Sequence, residues 1–251
     1  APVTQKGIFA FGYTGSNVSV SNLLNSSGVI ATDTTGVGTA RRTLAAAEYG
    51  GDKAIFGYGW TSSAQSMSNL VSNSGVVAAD VTGVGTARQS MGAAPYGSSG
   101  QAIFAFGTVG DTKQNISNLI SNTGVVASDA TGVGTARGKL AAVKYGTGLA
   151  LVAFGLAASG RVTTRNLINN VGLVASDATG AGTARLDLAA SSYGGDKGAF
   201  AYGDDNSKVS TKNLVNNVGV VAADVTGVGT ARYGTGAAEY GTDKAIFAYG
   251  T

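Results

Sequence analysis

The sequence predicts an all-β chain of repeated small sheets, and three observations carry that prediction. The string Asp-x-Thr-Gly-x-Gly-Thr-Ala-Arg begins at Asp33, Asp80, Asp129, Asp177 and Asp224, at spacings of 47, 49, 48 and 47 residues. Each repeat divides into four short strand-like segments separated by Gly, Asn, Ser or Asp turn signals. Glycine supplies 40 of the 251 residues and proline only 2, while charged residues make up 12%, about half the usual share. So glycine-rich a chain, with so few charges, does not read as helices carrying salt-laced surfaces.

The second repeat shows each element in order. Residues 44–49 (Leu-Ala-Ala-Ala-Glu-Tyr) lead through Gly50, Gly51 and Asp52 into residues 53–58, where smaller and larger side chains alternate with the period of a strand. The pair predicts a hairpin. Residues 66–71 then turn at Asn73, Ser74 and Gly75, residues that tolerate positive φ, into residues 76–82 as a second hairpin. A helix over 44–49 is disfavoured, because the run is far shorter than a stable isolated helix and glycines bracket it. Four strands in 47–49 residues match one blade of a β-propeller, near the kelch period and slightly above that of WD40 repeats. The expectation is a single domain over residues 1–251, a five-bladed propeller of four-stranded blades.

Small residues belong where blades converge, so the Ala-rich segment is predicted to be the innermost strand. The second-strand element occurs six times, at residues 8–12, 55–59, 103–107, 151–155, 199–203 and 246–250, whereas the other three occur five times. One copy is surplus. The ring is expected to close by combining the last Ala-rich strand, residues 235–240, with the N-terminal second, third and fourth strands, so that both chain ends offer a strand for one slot.

The chain contains no Cys and no His, which removes disulfides, thiol nucleophiles, the commonest metal ligand and the commonest general base. Its net charge of +3 comes from 17 basic and 14 acidic residues scattered without a run, so nucleic acid is not implied as a partner. The most apolar stretch, residues 148–160, is too short and Gly-interrupted to span a bilayer, and the opening residues lack an apolar secretory core. A soluble chain without membrane insertion, cofactor or resident metal is expected.

Arg41, the Ala-rich segment 44–49 and residues 53–59 follow the order of elements in kelch repeats, which the chain resembles, although Gly-Tyr-Gly replaces the family's Gly-Gly and the fourth-strand Trp is absent. The repeats are also similar to Gly-Tyr-Gly, Ser-Asn-Leu-Val-Ser-Asn and Gly-Val-Gly-Thr-Ala-Arg repeats in tail or structural proteins of tailed bacteriophages. That resemblance implies a virion-associated or extracellular binding or structural module, with other virion subunits among its partners.

The repeated Asp and Arg are candidates for five equivalent cation or ligand sites, but a feature present in every blade reads first as scaffold, with the Arg pairing to a carboxylate and satisfying turn carbonyls. Thr-Gly-Val-Gly-Thr looks superficially like a phosphate-cradling loop, yet no helix follows it and no Lys completes it. The phenols of Tyr49, Tyr96, Tyr145, Tyr193 and Tyr240 are read as anchors at blade edges. Asp204 and Asp205 are adjacent acids, the nearest thing to the carboxylate pair of a glycoside hydrolase. They repeat no geometry that singles them out, and a non-enzymatic role is expected.

What differs between repeats is the better guide to recognition. The loops after the second strand share almost nothing, and they place Tyr13, Trp60, Asp111, Arg161 and Asp205 as candidate ligand-binding residues. Trp60 is the only Trp in the chain, of a type that stacks on sugars and anchors protein partners. The alternative for it is an aromatic lid packed on its own blade. The sequence therefore predicts a non-catalytic module that recognises a glycan or protein surface at several points. A purely architectural role in an assembly is the rival reading, and a carboxylate-based glycoside hydrolase the second.

Overall fold

A computed structural model describes residues 7–251. It is all-β: the described residues form small antiparallel sheets and contain no helix. Six of these sheets succeed one another along the chain. The first pairs Gly7–Tyr13 with Asn17–Leu24. The second joins Ala45–Tyr49, Lys53–Trp60 and Ala64–Val71; the third joins Gly92–Tyr96, Gln101–Val109 and Thr112–Ile120. The fourth joins Ala141–Tyr145, Leu149–Ala153 and Arg165–Ile168; the fifth joins Ala189–Tyr193, Lys197–Ala201 and Lys212–Val215. The sixth pairs Gly236–Tyr240 with Lys244–Ala248. A short extra sheet of Arg137–Gly138, Leu156–Ala157 and Gly160–Arg161 extends the loops at one end.

The hairpin of Ala-rich strand and second strand forms as expected, with Ala47 opposite Ile55 and Tyr49 opposite Lys53. The expected fourth strand does not form. Residues 76–82 touch the third strand only through isolated bridges, Val71 with Val77 and Ser68 with Val81. Between those bridges the Asn69 amide donates to Ala78 O at 3.0 Å and to Asp80 Oδ1 at 2.9 Å. A side chain thus replaces ladder hydrogen bonds, and the segment is a bent ribbon.

A second departure lies in the second strands. Tyr58 and its counterparts Phe11, Phe106, Phe154, Tyr202 and Tyr249 have φ of 62–64°, and each is followed by a glycine of positive φ. In the first three sheets the ladder slips there, as between Gly57 and Gly59. This is a bulge, which bends the strand and re-aims a side chain. The re-aimed ring packs on the next sheet: Phe11 on Phe56 at 5.5 Å between centroids, Tyr58 on Phe104 at 5.3 Å, Phe154 on Phe200 at 5.4 Å and Tyr202 on Phe247 at 5.9 Å. Phe106 shares its buried cluster with Val152. The glycine's N–H then holds the linker to the next sheet, as Gly59 N donating to Arg88 O at 3.0 Å.

The Ala-rich strands pack one against the next in chain order, and Gly236–Tyr240 packs against Gly7–Tyr13. The two ends therefore meet, though not by sharing a slot. Residues 236–240 pair with the C-terminal second strand instead of the N-terminal one, which corrects the expected exchange. The surplus copy has its own place. Tyr249 stacks on Phe9 at 5.3 Å, repeating the aromatic contact of the other junctions. A Cβ on Gly7 would meet Ala238 Cβ at 3.0 Å, much as one on Gly198 would meet Val143 Cγ1 at 2.8 Å. The sixth sheet thus stands to the first as the fourth stands to the fifth.

Candidate functional site

Four of the five repeated arginines, Arg41, Arg88, Arg137 and Arg185, are buried, and the first three use every nitrogen of the guanidinium in hydrogen bonds. Arg88 lies at 0% exposure. Its Nε donates to Phe106 O at 2.9 Å, Nη1 to Thr86 O at 3.2 Å and Nη2 to Asn118 Oδ1, while its guanidinium lies 4.6 Å over the Tyr58 ring of the preceding sheet. Asn118 passes the connection on, donating to Asp129 Oδ1 at 2.9 Å. Asp129 Oδ2 accepts from the backbone N–H of Thr86 at 2.9 Å and from its hydroxyl at 2.6 Å. The same Thr–Arg–Asn–Asp connection recurs around Arg41 and Arg137. Burial pushes the Arg137 guanidinium down to about 10.

This arrangement answers the phosphate-loop reading. The glycine loop does present an amide to an anion, but the anion is the chain's own aspartate. Gly85 sits at φ +76°, and a Cβ there would stand 2.3 Å from Asp129 Oδ1, so glycine is needed both for conformation and for the carboxylate's approach. Burial alone would raise the Asp129 carboxyl. The Thr86 hydroxyl, the Asn118 amide, the Thr86 N–H and Arg88 together outweigh it, and it titrates below the ordinary carboxylate range.

The variable loops gather at one end of the sheets, where they bridge neighbours. Tyr13 is 57% exposed, and the Arg42 guanidinium lies 4.7 Å over its ring. Trp60, half-buried, exchanges backbone hydrogen bonds with that same Arg42 at 2.8 and 3.1 Å, and Asn17 Nδ2 donates to Thr61 O at 3.3 Å. Tyr13 and Trp60 are thus joined through Arg42, a residue the sequence reading passed over. Its signal was there: Arg41–Arg42 is the only linker in which the repeated Arg is followed by a second Arg.

Asp111 is exposed and borders a groove of about 550 Å³ shared with Leu156, Ala157 and Gly160. Arg161, next to that groove, donates through Nε to Asp204 O at 3.1 Å and through Nη1 to Asn206 Oδ1 at 2.8 Å, and its Nη2 pairs with Asp204 Oδ1. The Arg161 contact holds the Asp204 carboxyl below its ordinary range. Asp205 accepts from the Ser207 hydroxyl at 3.2 Å. The five predicted residues therefore lie along one loop face in neighbouring clusters, and they do not converge on one pocket.

At the opposite end, a cavity of about 380 Å³ opens among the Ala-rich strands. Lys144 Nζ stands 2.9 Å from Glu239 Oε2 and 4.0 Å from Glu48 Oε2 across it. Burial raises the Glu48 carboxyl, Lys144 opposes that shift, and Glu239 and Asp52 reinforce it. Sequence reasoning placed the Ala-rich strands where the blades converge but missed this trio, because nothing local shows that the Lys144 and Glu239 side chains of different repeats meet across the cavity. The fourth position of the Ala-rich strands, however, reads Glu48, Pro95, Lys144, Ser192 and Glu239, a variable site on a constant frame. The repeated tyrosines are anchors at closed junctions: Tyr49 lies against Gly124 of the next sheet and Tyr96 against Gly172. Neither the protein-family models nor the curated proteins searched give a match to this chain.

Proposed function

We propose that the chain is a β-propeller serving as a non-catalytic recognition module, which contacts a glycan or protein surface through its loop face. The supporting observation is a division of labour. Around Arg41, Arg88 and Arg137 the repeated polar residues are engaged in the connections between sheets, while exposed Tyr13, half-buried Trp60 and the Arg161 cluster occupy the loops that differ between repeats. Shared positions hold the scaffold and divergent ones are left for contact. In this reading the sheets are blades, and the five repeats occupy six blade positions in place of the five expected from the repeat count. Among the described residues four blades have inner, second and third strands and a ribbon, the first shows a second and third strand and a ribbon, and the last an inner and a second strand. The repeat resemblance makes a virion-like appendage the setting.

The test is a dense glycan array probed with the whole chain, in parallel with Trp60→Ala and Arg161→Ala. Binding that either substitution weakens about tenfold supports the reading; no binding, or binding indifferent to both, overturns it. The rival is an architectural role, favoured by the ties between loops, such as Asn17 to Thr61 and Arg161 to Asn206. It predicts loops buried between subunits of an assembly.

A further inference from the structure

Among the described residues the first sheet has no inner neighbour. In each later sheet of the series an Ala-rich strand flanks the second strand, whereas among the described residues Gly7–Tyr13 pairs with Asn17–Leu24 alone. Ser21 and Leu23 direct backbone groups to Thr34 and Ala31. Asn22 and Leu24 therefore face Phe9 and Gly7, and alternation turns the N–H and C=O groups of Ile8 and Ala10 to the open side. Ile8 is half-buried where Ile55, Ile103 and Leu151 are fully buried. Across the gap Ala46 is exposed, while its counterpart Ala142 is buried. The 380 Å³ cavity among the Ala-rich strands extends into this gap, where Gly7, Ile8, Ala46, Phe56 and Ala237 line it.

Two features define what would fill the gap. The flanking strands, Gly236–Tyr240 and Ala45–Tyr49, present Glu239 and Glu48, so two carboxylates share the single cation Lys144. At four closed junctions the strand's tyrosine covers the turn glycine of the next sheet: Tyr49 over Gly124, Tyr96 over Gly172, Tyr145 over Gly219 and Tyr240 over Gly28. Beside the opening, the atoms nearest the Cβ position of Gly75 among the described residues belong to Leu23, with no tyrosine ring among them.

We propose that this opening binds an extended peptide of the inner-strand type: small residues, then a lysine or arginine seated between Glu48 and Glu239, then a tyrosine over Gly75. The peptide adds antiparallel to Gly7–Tyr13 through the backbone of Ile8 and Ala10, and its small residues suit the crowded space between neighbouring strands. This site lies at the end of the sheets away from the variable loops and does not depend on the loop-face reading.

The test titrates two synthetic peptides into the whole chain by fluorescence anisotropy, one copying residues 140–146 (Leu-Ala-Ala-Val-Lys-Tyr-Gly) and one copying residues 44–50 (Leu-Ala-Ala-Ala-Glu-Tyr-Gly). The lysine peptide is expected to bind saturably and about tenfold more tightly than the glutamate peptide, a preference abolished in the Glu48→Gln, Glu239→Gln double variant. Hydrogen exchange at the Ile8 and Ala10 amides is expected to slow on binding, with Phe9 unchanged. Equal affinity for both peptides, no saturable binding, or binding without that protection overturns the proposal. Ile8 and Ala10 amides already protected without peptide, by residues 1–6 or by a second copy of the chain, overturn it as well.

Discussion

The Thr39 hydroxyl donates to Asp80 Oδ2 at 2.6 Å across 41 residues of sequence, tying the linker that enters the second sheet to that sheet's outermost ribbon. The ribbon has few ladder bonds of its own. Side chains, more than backbone pairing, therefore hold the outer edge, and that edge is sensitive to single polar substitutions.

Arg137→Ala is expected to destabilise the chain by about 3–5 kcal/mol, because it strands buried acceptors on Asn166 and Phe154 that now receive Arg137 at 2.7 and 3.0 Å. Arg137→Lys is expected to recover only part of this, since one ammonium cannot reproduce the fork. Urea denaturation of both variants checks it.

Acid should loosen the ribbons. The carboxyls of Asp80, Asp129, Asp177 and Asp224 all titrate below their ordinary value. A folded-state pKa below the unfolded one gives stability that is present above the unfolded pKa, near 3.9, and is lost as pH falls through the folded pKa. Asp129→Asn is expected to cost about 1 kcal/mol at neutral pH, the pair being partly solvated, and to flatten the fall in stability below about pH 4. Thermal melts from pH 2 to pH 7 measure both.

Glu48 carries the opposite sign. Its raised carboxyl pKa favours the neutral form in the folded chain, so that contribution is present below the unfolded pKa and lost as pH rises through the folded one. Glu48→Gln is expected to raise Tm at pH 7 and leave it unchanged at pH 3. The rise should be small, because the side chain keeps 43% of its surface.

The meeting of the chain ends is testable by cross-linking. The chain has no Cys, and Gly7 and Ala238 place their Cβ positions 3.0 Å apart, so a few tenths of an ångström of adjustment brings Gly7→Cys and Ala238→Cys into disulfide range. Oxidation is expected to give a monomeric species of faster gel mobility. Only intermolecular products would mean that the ends do not meet.

The repeat, its strand-forming segments and the Ala-rich hairpins were legible because each is written in local pattern and spacing. The fourth segment was misread since its valines suit a strand, and nothing local reveals that Asn69 and Asp80 displace the ladder. Tyr58 was read as a regular strand position, because left-handed backbone at an aromatic residue is set by the Phe104 ring of the next sheet. Arg42 and the Glu48–Lys144–Glu239 trio were hidden for a related reason. Their partners lie in other repeats, beyond the reach of periodicity.

The left-handed aromatics have a consequence for autonomy. Each such backbone costs on the order of 1 kcal/mol or more, and the stacking that offsets it comes from the adjoining sheet. An excised unit would keep the penalty and lose the compensation, so one module alone should relax or unravel. Folding is then a collective event among neighbours, and the smallest viable fragment contains several modules.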